Sequence, residues 1–411
     1  MRRVITVVLI AVLAAMALAL LLTVPWTVLP GAHPVVDVAK DFSPAQIARE
    51  TAYHAAVRPP AYASLVISLL LAGLLGLTPL GSRLVGLVRT GWVVQTVVGV
   101  LLLMLVGRLL TLPFDARAEV VQRRYGLSRQ TWASWSTDQV KGLLVSWLLT
   151  TMVLLLVLGL VRLAPRTWWA WSAGVTAALV VAGSFAYPVL IEPVFNQFTS
   201  LPAGQLRTDL LALADRDGVP VKDVLVADAS RRTSALNAYV SGFGSTRRIV
   251  LYDTLVQSSS PREVELIVAH ELGHAKRQDV LHGTLLGALG SAAGICLLAL
   301  LLSWAPLLRR AGASGPGDPR ALALVLFLVA AGTFLLSPAT NLVSRRIEAR
   351  ADLHSLQLTC DPQTYIASFT HLAVVNLADL QPNPLLYAWF SSHPSAPQRI
   401  ALARTYAERC P

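Results

Sequence analysis

Long apolar runs recur along this chain, at roughly residues 4–22, 63–80, 92–112, 143–163, 168–190, 285–302 and 321–336. A helix needs about 20 such residues to cross the hydrocarbon core of a bilayer, so the pattern predicts about seven membrane spans. The first run follows Arg2 and Arg3, as a signal peptide would, but it continues almost to Val28 without a clean cleavage site, which favours a retained helix. From about Thr199 to Gln278 the texture becomes mixed and polar, as in a folded unit that faces water. Within that unit, 204–215 carries a helical leucine pattern and 224–227 and 249–252 read as short β-strands. Between the strands, 237–244 alternates and ends in glycines, which suits an edge strand followed by a turn. The expected fold is mainly α, a polytopic membrane protein of about seven transmembrane helices with a small α+β unit. Residues 1–198 form a membrane-helix region, and residues 199–408 a second region that includes the last two spans.

Composition agrees with this reading. Of 411 residues, 55% are hydrophobic and only 14% charged, which excludes an ordinary soluble domain. The net charge of +11 raises the question of nucleic acid. The basic residues are scattered over many loops and mixed with acids, with no dense stripe or aromatic platform, so they read as membrane flanks and no nucleic-acid partner is expected. Arg2, Arg3, Arg83, Arg89, Arg162, Arg166, Arg309 and Arg310 on one side face a comparable set on the other, so the positive-inside rule does not decide orientation. Cys296, Cys360 and Cys410 form neither a disulfide framework nor a metal-binding pattern.

The sharpest local signal is His270-Glu271-Leu272-Gly273-His274, an H-E-x-x-H motif. Ser260-Pro261-Arg262-Glu263 upstream is a capping box with proline at the first helical position, so a helix starts at about Pro261. Residues four apart share a helix face, so His270 and His274 can bind one ion while Glu271 projects beside them as a general base. Zinc suits imidazole and carboxylate ligands, and one ion per chain is expected. A metzincin would need Gly at 277 and His at 280, but these positions hold Arg277 and Val280. The alternative is a glutamate on a later helix, and Glu348 and Asp352 offer an E-x-x-x-D pair one turn apart, which standing alone would read as solvated acids in an Arg-rich helix. Glu348 can complete the shell, and Asp352 can hydrogen-bond a ligand imidazole from behind.

Of the other histidines, His33, His54 and His371 read as ordinary polar residues, and His282 and His354 are left out of the site. His393 and Arg399 stand in a polar C-terminal segment and could stabilise an oxyanion and brace a carboxylate, respectively.

These residues together resemble the integral-membrane zinc metallopeptidases of the type I CAAX prenyl protease family, and more distantly the HtpX membrane proteases. The resemblance extends to segments 193–202 and 248–255, to Asn237-Ala238-Tyr239 with Gly242, to Leu112-Pro113-Phe114 and to Tyr125-Gly126-Leu127-Ser128, so it covers roughly 63–399. It implies seven helices enclosing an intramembrane chamber, with the zinc site facing inward and the polar unit capping one end. It also implies that His270, His274 and Glu348 are ligands, Glu271 the base, Asp352 an orienting residue, and His393 and Arg399 helpers. Asn237, Ala238, Tyr239, Val240 and Gly242 would then form the strand that pairs with an extended substrate, in keeping with an open edge.

The partners expected are a peptide or protein substrate, lipidated or not, and membrane lipid. Lys40, Lys141, Lys222 and Lys276 are the only lysines against abundant arginine and alanine, a bias common in high-GC bacteria, which points to a bacterial plasma membrane. CAAX-type processing and membrane-protein quality control both remain open as functions. A different class of protein, a transporter or scaffold with a structural metal, is the further alternative.

Overall fold

Every apolar run falls on a helix long enough to cross a membrane, and most of these helices outrun the stretch that predicts them. The computed structural model describes residues 1–29, 31, 34–242, 244 and 247–408, so His33, Phe243 and Cys410 lie outside the described residues. The first five long helices are α1 (Arg2–Thr23), α2 (Pro44–Leu77), α3 (Trp92–Arg124), α4 (Trp132–Leu163) and α5 (Trp168–Ala186). A π-turn at Tyr187–Ile191 carries α5 on to Phe195, at the point where Pro188 brings no backbone N–H. The polar unit supplies α6 (Gln205–Arg216) and α7 (Pro261–Lys276). After it come α8 (Asp279–Leu302), α9 (Leu322–Thr359), α10 (Pro362–Val375), α11 (Pro384–Phe390) and α12 (Ala396–Ala407).

One departure from expectation is α2, which starts 19 residues before its apolar run. Ser43 and Gln46 form a capping box there, and Pro44 takes the first helical position, so a polar extension precedes the span. The helix ends at Leu77 rather than Leu80, because Thr78 precedes Pro79 and is held extended. The Thr78 hydroxyl then caps the short helix Pro79–Gly86 by accepting from Leu80 N at 3.3 Å.

Helix packing closes a ring. In order, α2 packs on α3, α3 on α4, α4 on α5, α5 on α8, α8 on α9, and α9 back on α2, while α1 lies along α8. One end is sealed by apolar side chains from almost every helix, among them Ile5, Val100, Leu158, Trp168, Leu302 and Leu322. Along the spans only 6–33% of each apolar window is buried. Glu348 stands 26 residues beyond Leu322, about 39 Å further along α9 at 1.5 Å per residue, and so near the opposite end.

At that end sits a four-stranded sheet: β1 (Phe198–Ser200), β2 (Asp223–Ala227), β3 (Ala238–Ser241) and β4 (Arg248–Tyr252), in the order β1-β2-β4-β3. β2 and β4 are parallel, and the outer pairs are antiparallel. Three of the strands match expectation. β1 does not, since three residues are too few to show alternation. α7 starts at the predicted capping box, with Ser260 N donating to Glu263 at 2.7 Å. Its Val264, Val268 and Leu272, spaced by four, bury against the sheet and α6 together with Leu210, Leu213, Val224, Ile249 and Leu251. Each such fully buried side chain is worth about 1.5–3 kcal/mol.

The contact of α2 with α9 depends on Gly76, where an added Cβ would come within 2.7 Å of Phe327 Cβ and 2.8 Å of the Ala323 carbonyl oxygen. Gly76→Ala is therefore expected to cost about 1–3 kcal/mol, read as a lower thermal midpoint in detergent. Gly107→Ala, with nothing within 4 Å, should leave the midpoint unchanged or slightly raised.

Candidate active site

Because the apolar stripe of α7 is committed to the sheet, His270 and His274 are turned toward α9. A buried hydrogen bond from Ser355 Oγ to the Leu266 carbonyl, 2.8 Å, locks the two helices in register. With that register, Glu348, Asp352 and Ser355 line one face of α9 and meet the H-E-x-x-H face.

The two imidazole Nε2 atoms are 3.2 Å apart. Glu348 Oε2 lies 3.3 Å from His270 Nε2, and Oε1 lies 3.5 Å from His274 Nε2. One ligand atom from each of the three residues falls within 4.8 Å of the others. Glu348 Oε2 is buried and accepts no hydrogen bond. An orphaned carboxylate oxygen facing two imidazole nitrogens is an arrangement that a cation satisfies, so the donor set fits a metal ion.

The far side of each ring is pinned. His270 Nδ1 is 2.9 Å from Asp352, and His274 Nδ1 is 2.9 Å from Asp279. Each Nδ1–H donates to its carboxylate, which leaves the Nε2 lone pairs directed at the cluster. Asp352, fully buried, also accepts from Arg399 Nε at 3.0 Å on both oxygens. Arg399 stacks over the Phe369 ring at 3.9 Å, and its Nη2 comes within 3.1 Å of His270 Nδ1. Two donors cannot bond each other, so Nδ1 serves Asp352, and the guanidinium holds that carboxylate in place. In the metal-free protein burial and the Arg399 charge oppose protonation of His270, but the carboxylates of Asp352 and Glu348 beside its ring outweigh them and hold its pKa up to about 9.

Glu271 has no hydrogen-bonded or ionic partner among the described residues, and burial raises its pKa, partly offset by His270 and His274. His393 is exposed, with Nε2 3.4 Å from Glu348 Oε1 and Nδ1 2.9 Å from Ser392 Oγ. The expected substrate strand is β3, at the sheet edge and packed against α7. Asn237 precedes it exposed, Ala238 is buried, Val240 packs into the sheet core, and Gly242 turns the chain at φ +87°. The Tyr239 hydroxyl donates to Glu192 at 3.4 Å, and burial, then the Glu192 charge, push its pKa up so that it stays neutral. A cleft of about 670 Å³ between α9, α12 and the segment after α1 reaches Asp352 and Arg399.

The C-terminal half of the chain, residues 200–407, matches the model of peptidase family M48, and residues 37–197 match that of the CAAX prenyl protease N-terminal region, described as five membrane helices. The chain belongs to peptidase family M48. It is 34% identical to the uncharacterized metalloprotease YhfN of Bacillus subtilis, over 74% of this chain and 72% of that one. It is 33% identical to a CAAX prenyl protease 1 homolog of Oryza sativa over 71% and 68% of the two chains, and 28% identical to CAAX prenyl protease 1 of Saccharomyces cerevisiae over 71% and 67%. The crystal structure of S. mikatae Ste24p has the same fold, with a TM-score of 0.80 over 97% of this chain and 98% of that one at 22% identity. This M48 chain is thus a multi-pass membrane metalloprotease, which displaces the transporter or scaffold alternative.

All the residues singled out in the sequence around the motif converge here, and His282 and His354 do not join the cluster. His354 instead bonds Asp217 at 2.9 Å and packs against Gly273, while Lys276 bonds the same Asp217 at 2.6 Å. Sequence reasoning missed Asp279. Five residues beyond His274, it looks like an acid opening the next helix, which favours the helix dipole in any case. Its second use becomes visible only when Gln278, in the left-handed region at φ +56°, turns the chain back on itself.

Two expectations follow. Since a metal must displace the His270 proton, its apparent affinity should rise by up to about tenfold per pH unit between pH 6 and 8, measured by chelator competition. Asp279→Asn should weaken binding by about 10–100-fold in the same assay, with little change in folding.

Proposed function

We propose that the metal is zinc, one ion per chain, held by His270, His274 and Glu348, and that the site hydrolyses peptide bonds of membrane-associated substrates. The observation that carries this is the convergence of three ligand atoms whose two imidazoles are each oriented by a carboxylate on Nδ1. Bound there, zinc supplies a Lewis acid that makes water nucleophilic near neutral pH.

The chain's own residues do the rest. Glu271, one position from His270 and without a competing partner, takes a proton from the attacking water and passes it to the departing amine. Burial keeps this carboxyl basic enough to accept that proton. Asp352 and Asp279 fix the ring orientations, and Arg399 secures Asp352. His393, at the open side of Glu348, donates toward the oxyanion that forms on the scissile carbonyl. The free edge of β3, from Asn237 through Ala238, Tyr239 and Val240 to Gly242, pairs with an extended peptide and sets it beside α7.

The substrate class follows from the relatives named CAAX prenyl protease 1. C-terminal processing of lipidated or membrane-associated peptides is the reading they favour, with lipid as the surrounding partner. The likeness to a Bacillus protein supports a bacterial plasma membrane. The chain then divides into a membrane-helix domain, residues 1–198, and a zinc peptidase domain, residues 199–408.

Glu271→Gln should retain zinc at near one equivalent and lose peptide cleavage, and His274→Ala should lose both. Measuring zinc content and chelator-sensitive cleavage of prenylated and unprenylated peptides by the purified protein decides the matter. A wild type with neither zinc nor cleavage overturns the reading.

A further inference from the structure

The network behind His274 does not stop at Asp279. Arg350 Nη2 donates to Asp279 Oδ1, while Asp279 Oδ2 bonds His274. The other arm of the same guanidinium, Nη1, donates to the carbonyl of Thr23 at 3.2 Å. Thr23 is the last residue of α1, where backbone carbonyls have no partner within the helix. Its hydroxyl is occupied by the Ala19 carbonyl at 2.7 Å, so the carbonyl oxygen is what α1 offers Arg350.

The negative end of the α1 dipole adds to the attraction for this cation. The planar fork of arginine fixes the spacing between its two acceptors. At its other end α1 is also fastened, by Arg2 Nε to Ser303 Oγ at 2.8 Å and by Ile5, which is fully buried. Asp279 opens α8 and Ser303 closes it, so α1 is tied to α8 directly at Ser303 and through Arg350 of α9 at Asp279. Gln278, held in a left-handed conformation that costs a non-glycine residue energy, marks the turn that these ties keep in place.

We propose that α1 belongs to the apparatus that holds the metal ion, acting through Arg350 on Asp279 and so on the orientation of His274. This rests on the reading of His274 as a ligand. Arg350 is a positioning residue, since it touches neither the metal cluster nor a substrate. The arrangement gives α1 a role beyond anchoring, because the C-terminal carbonyl of a membrane helix sets the far side of an imidazole on a different element.

The test measures zinc affinity by chelator competition and the visible spectrum of the cobalt-substituted protein, using the full chain in detergent. Arg350→Gln should weaken zinc by about 10–100-fold and shift the cobalt bands, because the His274 ring is released. Arg350→Lys, whose ammonium lacks the two-armed fork, should fall between this variant and wild type, and it carries the test if Arg350→Gln does not fold. Ile5→Ala, about 27 Å along α1 from Thr23, should weaken zinc severalfold in the wild-type background and much less in Arg350→Gln.

Wild-type affinity and an unchanged cobalt spectrum in both Arg350 variants would overturn the proposal, as would additive effects of Ile5→Ala and Arg350→Gln. Zinc retained in full by His274→Ala would instead sink the ligand assignment on which the proposal rests.

Discussion

The structure turns on the crossing of α7 with α9. Glu348 and Asp352 are carboxylates buried on a helix whose first half is a membrane span, and a buried charge without partners is among the costliest features a fold can carry. The cost is offset only at one place, where His270, His274 and Arg399 meet those carboxylates. Any slip of α9 by a turn would strand both acids, and Ser355 would lose the Leu266 carbonyl. Once this crossing is set, the direction of α9 through the membrane is set with it. The ring closes because α9 also packs on α2 and α8.

The features that could be read in the chain are those with local physical causes. Apolar length marks the seven spans, and Ser260 with Glu263 marks the start of α7 whatever lies around it. The spacing of His270 and His274 places them on one face before any tertiary contact is known. What was hidden depends on distant partners. The polar first half of α2 resembles a loop in composition but is helical, with Arg58 paired to Asp379 and His54 to the Leu377 carbonyl. β1 is three residues that exist as a strand only because β2 pairs with them. Asp279 acquires its use from a turn at Gln278 that no propensity scale favours.

Hydrolysis inside a membrane protein also needs a polar path for water and peptide. The ring supplies polar groups well away from the site: Arg108 of α3 pairs with Asp115 one helical stretch later and with Gln139 of α4, and Ser64 of α2 bonds Asp115 at 2.9 Å. Ionisable groups on membrane helices face lipid only at great cost, and these pair with one another. These pairs place polar side chains on α2, α3 and α4, in a ring whose Leu322 end is closed by apolar packing.

The two imidazoles are supported from opposite ends of the chain. His270 leans on Asp352 and, through it, on Arg399 of α12, whereas His274 leans on Asp279 and, through Arg350, on α1. A metal ion that draws both rings together therefore links the first helix to the last. In its absence the carboxylates on either side of the ring favour the protonated form of His270, against burial and the Arg399 charge. On the proposed ligand set, metal binding would exchange that proton for an ion with stricter demands on ligand position. Those demands explain why each ring is held by a carboxylate that is itself held by an arginine, one level further from the metal than the ligands alone would suggest.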